Sequence, residues 1–170
     1  MTAAVFQRAL ERMAAEIAER NETTREVVLV GIQTGGIHIA RRIAQLLEDI
    51  WSQPLPVGVL DVSMHRDDLH QQPGVTVHPT SIPTDITGKV VVLVDDVLFS
   101  GRTTRAALDA LSDIGRPQKV QLAVVVDRGH RELPIKPDFV AKSVTTSRDD
   151  RIVVRLREDG GDDSVVLERA

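Results

Sequence analysis

Two adjacent carboxylates, Asp95 and Asp96, follow the apolar run Val90–Val94 and precede the small-residue segment Ser100-Gly101-Arg102-Thr103-Thr104. A buried strand that ends in acids and turns through glycine into a helix places functional groups where open α/β sheets bind ligands, outside the carboxyl ends of the strands. Gly101 permits close backbone approach, and Ser100, Thr103 and Thr104 add hydroxyls. The first amides of the following helix lack intrahelical partners, so with the helix dipole they form a cradle for phosphate. The two carboxylates cannot face that phosphate directly. Like unit charges ~4 Å apart repel by about 4 kcal/mol at an effective dielectric near 20. The acids must therefore meet something neutral or cationic, and a phosphorylated sugar with a bound Mg²⁺ has that order of charge.

The elements around this segment alternate. Apolar residues at Leu10, Met13, Ala14, Ile17 and Ala18 predict an amphipathic helix over Phe6–Arg20. Val27–Gly31 predicts a strand, Gly35-Gly36 opens a helix over Ile37–Ile50, and Val57–Met64 predicts a second strand. Residues Arg66 to Gly88 carry Pro73, Gly74, Pro79 and Pro83 without helical periodicity, which predicts a long loop; loops of that length often serve function. Thr103–Ile114 reads as a helix closed by Gly115 and Pro117, and Val120–Val126 as another buried strand. Phe139–Thr145, Ile152–Arg157 and Val165–Leu167 are expected to be later strands. The alternation predicts an α/β fold, a mostly parallel twisted sheet flanked by helices, with residues 1–170 forming one domain.

Composition narrows the classes. The chain has 170 residues, 42% hydrophobic and 27% charged, as expected of a soluble globular protein. It has no cysteine, so disulfides, thiolate metal sites and cysteine nucleophiles are excluded. Its five histidines show no metal-ligand spacing, and no protein metal site is expected. A net charge of -4 and a 2% aromatic content exclude a bulk-basic nucleic-acid binder or a base-stacking platform. No apolar run reaches the ~20 residues of a membrane span, and the charged N-terminus lacks a signal peptide's apolar stretch. The expected location is cytoplasmic, without a membrane partner.

The strand, acidic pair and loop resemble the phosphoribosyl pyrophosphate (PRPP) motif of type I phosphoribosyltransferases. Three further stretches narrow the likeness: Val30-Gly31-Ile32-Gln33-Thr34-Gly35-Gly36, Leu60-Asp61-Val62-Ser63-Met64-His65-Arg66-Asp67-Asp68, and Val126-Asp127-Arg128-Gly129-His130-Arg131-Glu132-Leu133-Pro134-Ile135. With the loop at Ser100–Thr103 they resemble the PyrR family of pyrimidine-operon regulators and uracil phosphoribosyltransferases, from about Arg8 to Arg157. The resemblance implies the type I phosphoribosyltransferase fold, with a small hood and a flexible loop, and transfer of ribose phosphate from PRPP to uracil. It implies that Asp95 and Asp96 hold the ribose hydroxyls and offset transition-state charge, and that Val97, Leu98, Phe99, Ser100, Gly101, Arg102, Thr103 and Thr104 bind PRPP around its 5′-phosphate. It assigns Thr34, Gly35 and Gly36 to the pyrophosphate, Arg66 to closure over the leaving group, and Asp127, Arg128 and Gly129 to uracil. Mg²⁺ would be held mainly by PRPP itself. The implied partners are uracil, PRPP, uridine nucleotides, an mRNA leader stem-loop and further copies of the chain, as a dimer or an assembly of dimers.

The chain departs from that pattern at several positions. Gln33 and Gly35 stand in the pyrophosphate turn where the family often has basic residues, and His65 stands where an aromatic tyrosine or phenylalanine is common. Arg8 and Arg12 share a helical face that would meet RNA, but Glu11 stands where threonine is common and Ala15 replaces a familiar histidine. Arg128, Arg131, Lys136, Lys142, Arg148 and Arg151 are the remaining cations for an RNA surface. Two other readings share the motif: a non-catalytic, UMP-sensing RNA-binding attenuator, and a purine phosphoribosyltransferase. The latter would not carry the stretch from Asp127 to Ile135.

Overall fold

The computed structural model describes residues 1–24, 26–65 and 79–170. Five parallel strands form the central sheet in the order β2-β1-β3-β4-β5: β1 (Val27–Ile32), β2 (Val57–Leu60), β3 (Val90–Leu98), β4 (Lys119–Asp127) and β5 (Phe139–Ser143). Chain direction across the sheet reverses between β1 and β3, because β2 lies on one side of β1 and every later strand lies on the other. Such a switch point opens a crevice at the carboxyl ends of the strands.

Both faces of this sheet are covered, which is why β1 is apolar at nearly every position and wholly buried. Helices α1 (Ala3–Arg20) and α2 (Gly35–Trp51) cover one face through Phe6, Leu10, Met13, Ile17, Ile39, Ile43 and Leu47, packed against Leu29, Val92 and Val125. Helix α3 (Arg102–Ile114) covers the other through Ala106, Ala107, Ala110 and Leu111, with Ile86, Leu93, Leu122 and Val124. The helical spacing in the sequence placed the face of α1 correctly, while Ile114, the last apolar residue of α3, is exposed.

The strands differ from expectation at three places. β3 does not stop at Val94; it continues through Asp95 and Asp96 to Leu98, because β4 keeps pairing with it as far as Leu98↔Asp127 after β1 has ended. β2 stops at Leu60, and Ser63–His65 form a short 3-10 turn in place of the end of the expected strand. The last two strands, β6 (Arg151–Arg155) and β7 (Ser164–Glu168), pair antiparallel as a separate hairpin. Ile152, Val154 and Val165 pack this hairpin onto the α1/α2 layer.

Arg42 of α2 fastens the hairpin from the helix side. Its guanidinium makes two 2.8 Å bonds to Asp163, pairs with Glu158 and stacks on Phe6. The Arg42 bond holds the Asp163 carboxyl below the usual carboxylate range, as it does Glu158. The outer strands of the sheet are also engaged. Val59 of β2 bridges Ser81, with N–H···O distances of 2.8 and 2.9 Å. Arg12 of α1 donates to the Ala141 carbonyl of β5 at 2.7 Å. No helix among the described residues is long and apolar enough to cross a membrane.

Candidate active site

The turn after β1 is shaped by the absence of side chains. A β-carbon at Gly36 would lie 2.2 Å from the Val94 carbonyl oxygen, and one at Gly31 would lie 2.5 Å from the Ile37 α-carbon. Only glycine lets the start of α2 settle this closely onto β1 and β3. The Gln33–Thr34 peptide is cis, and Thr34 is exposed at the turn. Gly35 lies beside the acidic pair: a β-carbon there would sit 2.9 Å from Asp96 Oδ2. The pyrophosphate turn expected from the sequence and the acids of β3 are thus brought together at the switch point. Asp95 is buried and Asp96 half-buried. Each carboxylate accepts the amide that follows it, Asp96 N–H at 2.9 Å and Val97 N–H at 2.7 Å, which sets the orientation of both groups.

The loop after β3 is built differently. Gly101 has φ +92° and caps α3, and a β-carbon there would meet Ile135 at 3.1 Å. Every carbonyl from Leu98 to Gly101 accepts a hydrogen bond from protein. Arg128 N–H donates to Leu98, the Arg131 guanidinium to Phe99, Glu132 N–H and Leu133 N–H to Ser100, and Arg105 N–H to Gly101. No hydrogen bond among the described residues draws on the amides of Ser100 or Gly101. Inward carbonyls and uncommitted amides at a helix start are the arrangement that receives an anion.

The side chains expected at PRPP divide into several roles. Leu98 is buried in the α3-side core, and the half-buried Val97 packs against the other. Arg102 pairs with Glu132 at 3.0 Å. Thr104 is 3% exposed; its hydroxyl has no partner and lines a cavity with Leu93, Leu108, Leu122 and Ile135 behind the loop. The sequence grouped Thr104 with the phosphate hydroxyls, although its spacing from Ala107 and Leu111 puts it on the buried face of α3. Arg66 lies outside the described residues.

The residues expected on the uracil side brace the loop as well. Asp127 accepts Gly129 N–H at 3.0 Å and the Arg131 guanidinium at 2.7 Å. Arg128, 8% exposed, stacks 4.3 Å over the Phe99 ring and donates to the Ser147 and Arg148 carbonyls. Gly129 and His130 both have positive φ, 74° and 60°, which turns the chain back beneath Phe99, and His130 meets that ring edge-on. Arg131, which the sequence suggested as a surface cation, is a brace. The available signal was its place in a charged run directly after a buried strand.

The parallel sheet, the switch-point crevice and the acidic pair set between two glycine-bearing turns are those of a phosphoribosyltransferase. Residues 3–159 match the phosphoribosyl transferase domain family, to which the chain belongs. More narrowly, it is a member of the PyrR family. It is 59% identical over 166 residues to the bifunctional protein PyrR of Roseiflexus sp., covering 96% of this chain and 91% of that one. It is 56% identical over 170 residues to the bifunctional protein PyrR of Chloroflexus aurantiacus, covering 99% and 93%. Among solved structures, a hypoxanthine-guanine phosphoribosyltransferase from Bacillus anthracis shares the fold with a TM-score of 0.70 and 19% identity, covering 90% of this chain and 84% of that one.

Proposed function

We propose that the chain transfers the ribose phosphate of PRPP to uracil, forming UMP and diphosphate, and that it also regulates pyrimidine synthesis by binding messenger RNA in response to uridine nucleotides. The observation that carries the catalytic half is the adjacency of three parts: the Ser100–Gly101 amides, the Asp95/Asp96 pair, and the Thr34–Gly36 turn against Asp96. They match, in order, a 5′-phosphate, a ribose and a pyrophosphate.

As N1 of uracil gives up its proton to solvent and bonds to the anomeric carbon, the bond from that carbon to the pyrophosphate oxygen breaks, the pyrophosphate keeps the electron pair, and positive charge develops on the ribose between them. Asp95 and Asp96, already oriented by the amides of Asp96 and Val97, accept the ribose hydroxyls and offset that charge without reorganising. The turn at Gly35 and Gly36 takes the leaving pyrophosphate on backbone amides. Gln33 and Gly35 leave this turn without a cation of its own, so Arg66 and Mg²⁺ carry more of the compensation. Mg²⁺ would supply charge neutralisation on PRPP and would be held chiefly by PRPP oxygens. That fits a cation that dehydrates reluctantly. Asp127, Arg128 and Gly129 form the wall beside the base, Arg128 acting there through Phe99.

The test is UMP formation from uracil and PRPP with Mg²⁺. The parental protein is expected to turn over, and Asp95→Asn with Asp96→Asn is expected to lower kcat by at least about a hundredfold, the scale of a lost transition-state charge contact. A parental protein that binds UMP and makes none would be a sensor. A preference for hypoxanthine over uracil would assign it to purines.

The regulatory half rests on fewer cations than the sequence offered. Arg128 and Arg131 are committed beneath the loop, Arg148 pairs with Glu132, and Arg12 is shared between Glu16 and the Ala141 carbonyl. Arg8, Lys136, Lys142 and Arg151 remain exposed. RNA binding through these four would show a shallow salt dependence, about 3–4 log units of affinity per log unit of salt.

A further inference from the structure

The braced loop raises the question of which contact fixes its conformation. Three of its four inward carbonyls are held by main-chain amides, which follow from the local chain path. The fourth, that of Phe99, is held by a side chain. The Arg131 guanidinium donates to Phe99 O at 2.9 Å, to Ile135 O at 3.0 Å and to Gly129 O at 3.3 Å, and it is anchored on Asp127 Oδ2 at 2.7 Å. A planar fork of five donors is suited to holding several carbonyls at fixed angles, and a lysine ammonium is not.

The peptide plane explains why this matters. The Phe99 carbonyl and the Ser100 amide belong to one rigid unit, with the N–H pointing opposite to the C=O. Drawing Phe99 O down toward Arg131 therefore turns Ser100 N–H up, out of the protein. The same relation links the Ser100 carbonyl, held by Glu132 and Leu133, to the Gly101 amide. Without Arg131 the first of these planes is free to rotate, and the phosphate would have to order it on binding, at a cost in affinity.

We propose that Arg131 is a positioning residue for the phosphate loop, holding the Ser100 amide in its anion-receiving orientation through the Phe99 carbonyl and touching no substrate itself. This deepens the catalytic reading above and rests on it, since it presumes that the loop takes the 5′-phosphate. It also separates Arg131 from the surface cations that serve RNA.

The experiment measures binding of two fragments of PRPP to the full-length protein by calorimetry: ribose 5-phosphate, which seats on the loop, and inorganic pyrophosphate, which seats at Thr34–Gly36. In Arg131→Gln, ribose 5-phosphate affinity is expected to fall about tenfold or more, the weight of a lost hydrogen-bond set to a charged group. Pyrophosphate affinity should stay unchanged. In turnover, the KM for PRPP should rise by a similar factor while kcat falls by less than about threefold. Arg131→Lys keeps the charge against Asp127 but not the fork; it should show the same split and serves as the test if the Gln variant does not fold. Equal ribose 5-phosphate affinity in parent and variant overturns the proposal, and so does equal loss of both ligands. A parental protein that binds neither fragment overturns the catalytic reading instead.

Discussion

The two turns that flank Asp95 and Asp96 both receive anions in the reading developed above, yet they are held by opposite means. The turn after β1 is fixed by subtraction: Gly31 and Gly36 remove the atoms that would keep α2 off the sheet. The loop after β3 is fixed by addition, through Arg128, Arg131, Glu132 and Leu133 reaching back to its carbonyls. The first turn fails when an atom is added. The second fails when a contact is removed or when its positive φ is denied.

That difference predicts an order of damage. Gly36→Ala is expected to be the most disruptive, because its new methyl group would meet backbone at 2.2 Å and backbone cannot step aside. Destabilisation of about 3 kcal/mol or more, read from denaturant unfolding, is expected, with loss of turnover. Gly101→Val is next. Its φ of +92° is strained for a branched residue, and Ile135 lies 3.1 Å away, but that neighbour is a side chain with room to shift. A cost of about 1–3 kcal/mol in a still-folded protein is expected, together with a KM for PRPP raised at least about tenfold. If Gly36→Ala proved the milder of the two, the contrast between the turns would be wrong.

The smallest effect concerns the far side of α2. Asp163 and Glu158 are held below the usual carboxylate range by Arg42, so the stability they contribute is complete above that range. It is lost as pH falls from the ordinary value through the depressed one. Asp163→Asn should therefore be less stable at neutral pH and lose less of its stability on acidification than the parent. The check is thermal unfolding across the acid range.

Much of this was legible in the sequence because burial on two faces and helical periodicity leave strong marks. Val27–Gly31, Val90–Val94 and the apolar stripe of α1 could hardly have been placed elsewhere. The acidic pair with its glycine loop suggested a phosphate-and-sugar site, and the structure brings that pair against the Gly35 turn. Other features left no such mark. Nothing in the letters of Asp95 and Asp96 says that β4 outlasts β1 and keeps both acids in a ladder. The alternation in Ile152–Arg157 and Val165–Leu167 indicates strands but not whether they join the main sheet. An arginine on the surface and an arginine beneath a loop are the same residue type, so Arg131 read as ordinary charge and Arg128 as a uracil-side or surface group until the turn at Gly129 and His130 brings them under Phe99. Thr104 was misplaced for a different reason: its hydroxyl was weighed by type, while its spacing from Ala107 and Leu111 already turned it toward the core.

The bond from Arg12 to Ala141 has a consequence beyond its modest strength. An outermost strand offers unspent backbone groups to any extended peptide that drifts past, the usual first step of runaway strand-on-strand growth. Here a guanidinium occupies a carbonyl on the rim beyond β5, and Ser81 pairs one residue on the rim beyond β2. Each contact takes away a foothold for such growth, and a cation the sequence offered to RNA is spent there.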